Sequence, residues 1–176
     1  MKTTRRACAV LFALAALLGI AATAQAYPET YDAQFHITTN LGHTCVITHH
    51  AGYQRANWNS IWASATTDYP DCYWAPDGSH SQWHHLTLSY NTGLPLVSWQ
   101  PVATDECGWS TPPYSCAATL RVEVPPPGDY QVNAWSSVRL SGSEVWNTPT
   151  TGSCWLSADR QSVSCLQNGY ISVPAL

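Results

Sequence analysis

The sequence predicts an all-β sandwich with disulfide-stapled loops and at most one short helix. Three observations lead there. Leu120, Val122 and Val124 alternate with Arg121 and Glu123, and Tyr130, Val132 and Ala134 alternate with Gln131, Asn133 and Trp135, the period-two pattern of half-buried strands. Between these runs Pro125-Pro126-Pro127-Gly128 cannot extend a sheet ladder, so the chain turns a corner there. Similar short apolar alternations, separated by turn residues, recur along the rest of the chain.

The N-terminus reads as an export signal. Lys2, Arg5 and Arg6 precede an unbroken run of apolar and small residues from Ala9 to Ala22, and Ala24-Gln25-Ala26 is a small-x-small cleavage pattern. Residues 1–26 are therefore expected to be a secretory signal peptide and 27–176 one sandwich domain, secreted to an extracellular or periplasmic compartment. The apolar run is short for a membrane span, so no membrane association is expected of the mature form. Beyond residue 26 there is no Lys; Arg55, Arg121, Arg139 and Arg160 against eleven acids leave a net charge of −7 with His neutral. Nucleic-acid binding, which needs a basic patch to exchange counterions with phosphates, is excluded as a function class.

Six cysteines follow the signal: Cys45, Cys72, Cys107, Cys116, Cys154 and Cys165. An even number in an exported chain implies a disulfide framework. A four-residue turn at 158–161 sets Ser157 opposite Ser162, and the same register sets Cys154 opposite Cys165, within bridging distance on antiparallel strands. Cys107 and Cys116 flank a loop that can close on itself, which leaves Cys45 for Cys72.

In chain order, Phe35 and Ile37 pair with residues 44–49 in a hairpin around Asn40-Leu41-Gly42. Residues 54–66 are the one stretch with helical spacing, since Trp58, Trp62 and Ala65 recur at i, i+4, i+7 behind an Asn57 cap. Residues 67–79, rich in Asp, Pro and Gly, read as loop. In 83–90 Leu86, Leu88 and Tyr90 point one way and Trp83, His85, Thr87 and Ser89 the other; Asn91-Thr92-Gly93 then turns the chain into a strand at 96–100. After the central corner come Trp146, the Cys154–Cys165 hairpin and a last strand at 170–173. Tyr130, just past the corner, is placed as in a tyrosine corner, which makes the sandwich immunoglobulin-like or fibronectin-III-like. The segment CAATLRVEVPPPGDYQVNAWSS, Cys116 to Ser137, is similar in rhythm to the E–F region of bacterial fibronectin-III-like and prepeptidase C-terminal sandwiches. That resemblance covers about a seventh of the expected mature chain and implies a fold, not functional residues.

Catalytic motifs are missing: there is no G-x-S-x-G elbow, H-E-x-x-H, phosphate loop or dinucleotide fingerprint. No cofactor is expected. Asp68, Asp71, Asp77, Asp105 and Glu106 read as solvated acids, although two of them meeting in space would suit a glycosidase pair. The seven histidines, His36, His43, His49, His50, His80, His84 and His85, follow no ligand spacing; a metal site from His80, His84 and His85 with His49 or His50, or a calcium site from Asp68, Asp71 and Asp77, would require convergence that spacing does not encode.

Two surfaces are candidates for binding. Strand parity turns Trp83, His85, Gln131, Asn133 and Trp135 away from the core, and an exposed Trp beside amides and hydroxyls suits a sugar, its flat ring covering the apolar face of a pyranose. The second is the Cys107–Cys116 loop, stiffened by Pro112-Pro113 and carrying Trp109 and Tyr114, residue types that make interface hot spots. The expected function is a non-enzymatic binding module for an extracellular glycan or protein. A protease inhibitor acting through the Cys107–Cys116 loop is the alternative, and a secreted hydrolase or metal-binding protein using the His and Asp loops a further one.

Overall fold

The computed structural model describes residues 30–54, 59–68, 80–93, 98–110, 116–148 and 152–175. The expected signal segment, 1–26, and the loop acids Asp71 and Asp77 lie outside these residues. Among the described residues all regular structure is strand, in two antiparallel sheets. The first sheet runs β1 (Thr30–Thr38), β2 (Thr44–Gln54), β3 (Ser60–Asp68), β6 (Ala117–Glu123). The second runs β5 (Trp99–Ser110), β4 (His80–Asn91), β7 (Gly128–Leu140), β9 (Ser162–Val173), β8 (Cys154–Leu156). No helix among these residues is long and apolar enough to cross a membrane.

The two sheets face each other across a core made by alternation. One cluster joins Ala51, Ile61, Ala63, Ala65, Ala118 and Leu120 of the first sheet to Leu86, Leu88, Val132, Ala134 and Ile171 of the second. Leu86 and Leu88 are wholly buried, each burial contributing about 2 kcal/mol. A second cluster gathers Phe35, Ile37, Ile47, Val138, Val163 and Trp146 around Cys154 and Cys165. Cys154 stands opposite Cys165 in the β8–β9 register and is bonded to it, as hairpin reasoning required. Cys107 is bonded to Cys116. Cys45 is fully buried, and its expected partner Cys72 lies outside the described residues. Two bridges fit an oxidising, extracellular type of compartment.

The β1–β2 hairpin turns through Gly42 at φ 87°, in the left-handed region that glycine tolerates. At the central corner the chain leaves one sheet for the other, and the Tyr130 hydroxyl donates to the Pro126 carbonyl at 2.8 Å, the bond a tyrosine corner makes. Gly128 follows the three prolines at φ 142°; a Cβ there would stand 2.7 Å from the Tyr90 ring, so corner and strand β4 meet only over a glycine.

The helix expected over 54–66 does not form over its described residues. Gln54 ends β2, and Ser60–Asp68 is a strand whose Ile61, Ala63 and Ala65 are buried while Trp62, Ser64 and Thr66 are half-buried on the other face. Trp58 lies outside the described residues, and the helical spacing of Trp62 and Ala65 was coincidental. Trp62 lies over Gly52 of β2, where an added Cβ would fall 2.7 Å from its ring, and Ala65 faces the opposite side. A tryptophan covering a neighbour's glycine satisfies the sheet, and the period-two burial of β3 outweighs helix propensity. The strand expected at 96–100, described from Trp99, runs much further than expected, through Cys107 to Ser110. Gly108 and Trp109 therefore belong to edge strand β5 rather than to a free loop.

Candidate functional site

The outer face of the five-stranded sheet collects the residues that strand parity turned outward. His85 of β4 stands opposite Trp135 of β7, Thr87 opposite Asn133 and Ser89 opposite Gln131. Directly opposed residues on antiparallel strands share a face, so Trp83, His85, Gln131, Asn133 and Trp135 lie on one surface. Across β9 the same rows continue as Leu166, Asn168 and Tyr170, and across β5 as Glu106 and Thr104.

Trp83 and Trp135 are neighbours, but they do not form a flat platform. Their ring centroids are 6.0 Å apart with planes at 82°, and Trp155 of β8 meets Trp135 edge to face at 5.3 Å and 78°. The polar edges of these rings are fastened to the protein. The Trp83 indole N–H donates to Glu106 Oε1 at 2.8 Å, and the His85 ring lies parallel to Trp83 within 5°. His85 Nδ1 is 3.4 Å from Glu106 Oε2 and its Nε2 3.0 Å from Thr87 Oγ1, so a proton on Nδ1 leaves Nε2 to accept from the threonine. Trp135 donates to Ser137 Oγ at 3.3 Å, and Ser137 is 2.7 Å from Ser164 Oγ. Rings fixed in this way lose little freedom on meeting a ligand. Trp135, Trp155 and Tyr170 remain 37%, 43% and 37% exposed.

At the other end of the face, Trp99 of β5 and Tyr170 of β9 approach to 6.0 Å although two strands separate them. The Gln131 amide donates to the Tyr170 hydroxyl at 3.1 Å, and Ser89, opposite Gln131, is buried although it points outward. Trp109, half exposed near the end of β5, is away from these pairs in the sheet, and Tyr114 lies outside the described residues.

The histidines do not converge on a metal. His85 and His50 lie on the outer sides of different sheets, His50 with Asp32, while His43 bonds Glu144 at 2.7 Å and His36 is exposed. His49 and His84 point inward and meet at Ser136. The Ser136 hydroxyl is 2.8 Å from His49 Nε2 and 2.6 Å from His84 Nδ1, and His84 Nε2 is 3.1 Å from Thr67 Oγ1. Burial pushes His49 down to about 3, with the charges of His84 and His50 adding to it, and His84 down to about 4; both are neutral imidazoles at pH 7. With one hydroxyl proton between them, one imidazole donates to Ser136 and the other accepts. Among the described residues His49 Nδ1 has no partner, and an unpaired buried acceptor is commoner than an unpaired N–H, so the arrangement favours a proton on His49 Nε2 with Ser136 donating to His84. Serine between two histidines has the composition of a nucleophile and base, but Ser136, His49 and His84 are wholly buried between the sheets. Their arrangement cross-links β2, β3, β4 and β7 between the two apolar clusters and offers no surface to a substrate. Among the described residues no three His, Cys, Asp or Glu side chains group to hold a metal.

Sequence reasoning missed Trp155, Trp99 and Tyr170. Trp155 was within reach: Cys165 faces inward, so Ser164 and its hairpin partner Trp155 face outward. Trp99 and Tyr170 carried no such signal, because their meeting depends on the order of strands in the sheet. Comparison with protein-family models, with curated proteins and with solved structures finds no match to this chain.

Proposed function

We propose that the protein is an exported, non-enzymatic module that binds glycans on the outer face of its five-stranded sheet. One observation carries this reading: Trp83, Trp135, Trp155, Trp99 and Tyr170 share that face with the side chains of Thr87, Thr104, Asn133 and Asn168. Aromatic faces cover the apolar faces of sugar rings and the amides and hydroxyls take their hydroxyls. A protein ligand is favoured less, because protein hot spots are apolar at the centre and polar at the rim, and here the centre of the face is polar.

The export signal and the two bridges support secretion. Strand pairing supports the immunoglobulin-like or fibronectin-III-like type: β3 with β6, β4 with β7 and β7 with β9 correspond to the B–E, C–F and F–G neighbours of that fold, with the tyrosine corner between E and F. In this reading β1 and β8 are additions at the two sheet edges.

The test is affinity electrophoresis against a panel of soluble polysaccharides, with wild type and Trp135→Ala. Retention by at least one glycan, lost in the variant at an unchanged melting temperature, is the expected result. A wild type that no glycan retards refutes the proposal.

A further inference from the structure

The aromatic residues of this face form two separate rows, and each row runs across the strands. Trp83, Trp135 and Trp155 make one, spanning β4, β7 and β8; Trp99 and Tyr170 make the other, reaching over β4 and β7 from either side. Between them lies a polar row aligned by register on four neighbouring strands: Thr104, Thr87, Asn133, Asn168. The Trp135 row and the Tyr170 row are four residues apart along β7 and β9, about 13 Å at the usual strand rise. Three interstrand spacings make the polar row about 14 Å long. Among the described residues no strand covers either end: Thr104 sits on edge strand β5, and β8 pairs with Val163, Ser164 and Cys165 of β9 but not with Asn168.

Resting on the glycan reading above, we infer that this polar row is the floor of a groove that holds an internal segment of one neutral, extended, β-linked glycan chain lying across the strands. The chain stands on edge, its equatorial hydroxyls meeting the Thr and Asn side chains of the floor and its apolar ring faces turned to the aromatic rows on either side. A crystalline glycan surface needs coplanar rings, and rings at 82° and 78° cannot lie flat on one. A helical α-linked chain does not follow a straight row. Charge selects further. Glu106 stands at the groove, held by Trp83 and His85, no Lys is present beyond the signal, and the remaining chain is strongly acidic, so uronic-acid polymers are repelled. Ends that no described strand covers admit the middle of a long chain and make no use of a chain terminus.

The test is titration calorimetry with linear oligosaccharides of two to six rings, β-1,4-linked gluco-, manno- and xylo-series beside an α-1,4-gluco series, together with a uronic-acid polymer and a crystalline β-glucan. In at least one β-series affinity is expected to rise about tenfold or more from two rings to four and then level off. Tyr170→Ala and Trp135→Ala are each expected to weaken the four-ring ligand about tenfold, and Asn133→Ala with Asn168→Ala to do so with both rows intact. All these side chains are at least partly exposed, and unchanged melting temperatures verify folding. Affinity independent of length, a Tyr170→Ala variant that binds like wild type, preference for the α-series, or equal binding of the uronic-acid polymer or the crystalline glucan overturns the groove while the glycan reading stands. Failure of the wild type to bind any glycan overturns both.

Discussion

Acidification should unfold this protein through its two central histidines. His49 and His84 are neutral in the folded state because burial holds them down to about 3 and about 4, against 6.5 for a free imidazole. As pH falls through 6.5 the unfolded chain takes up two protons that the folded chain refuses. The stability these sites contribute is therefore complete above about pH 7 and is lost as pH drops toward 4. Linkage gives a slope of roughly 2.7 kcal/mol per pH unit while both differ in protonation, hence a loss of about 4 kcal/mol by pH 5 and about 6 kcal/mol by pH 4. Buried His80, also held below its ordinary value by burial, acts in the same direction. Losses of this size approach the whole stability of an ordinary domain. Urea midpoints measured from pH 8 to 4 should stay level down to about pH 7 and then fall steeply. Imidazole resonances of His49 and His84 should not shift while the protein stays folded at pH 5.5. A flat midpoint between pH 7 and 5, or either resonance titrating near 6.5 in the folded state, would refute the argument.

Three further outcomes follow from single contacts. Opening the Cys154–Cys165 bridge, which closes a sequence separation of 11, by changing both to Ala should cost about 3 kcal/mol in a denaturant titration, and no loss would mean the hairpin holds itself. Tyr130→Phe removes only the hydroxyl bonded to Pro126 and should lower stability by about 1 kcal/mol; a neutral change would show that the corner is set by the prolines and Gly128 alone. Gly169→Ala places a methyl within 2.0 Å of the Tyr31 ring, so it should destabilise by roughly 1–3 kcal/mol, and the double change with Tyr31→Ala should recover part of that; strict additivity would show that the two do not touch.

Local pattern settled which side chains share a face. A strand repeats every two residues, so Leu86 and Leu88 had to point away from Trp83 and His85 whatever the neighbouring strand was, and Gln131, Asn133 and Trp135 had to travel together. Hairpin counting likewise set Cys154 against Cys165, and three prolines before a glycine and a tyrosine dictated the corner. The same locality misread residues 54–66, where tryptophans at helical spacing outweighed the alternation of Ile61, Ala63 and Ala65, because no single stretch reveals that Gly52 leaves room for Trp62 on an adjacent strand. Which strands lie side by side was decided only in three dimensions. His49 and His84 reach Ser136 from 87 and 52 residues away, and Trp99 meets Tyr170 across two intervening strands. Alternation is a property of one strand's backbone and is written in its own residues. The order of strands in a sheet minimises exposed apolar surface and unpaired backbone for the whole chain at once, so the angle between Trp83 and Trp135 and the polar row between two aromatic walls exist only once every strand has found its neighbours.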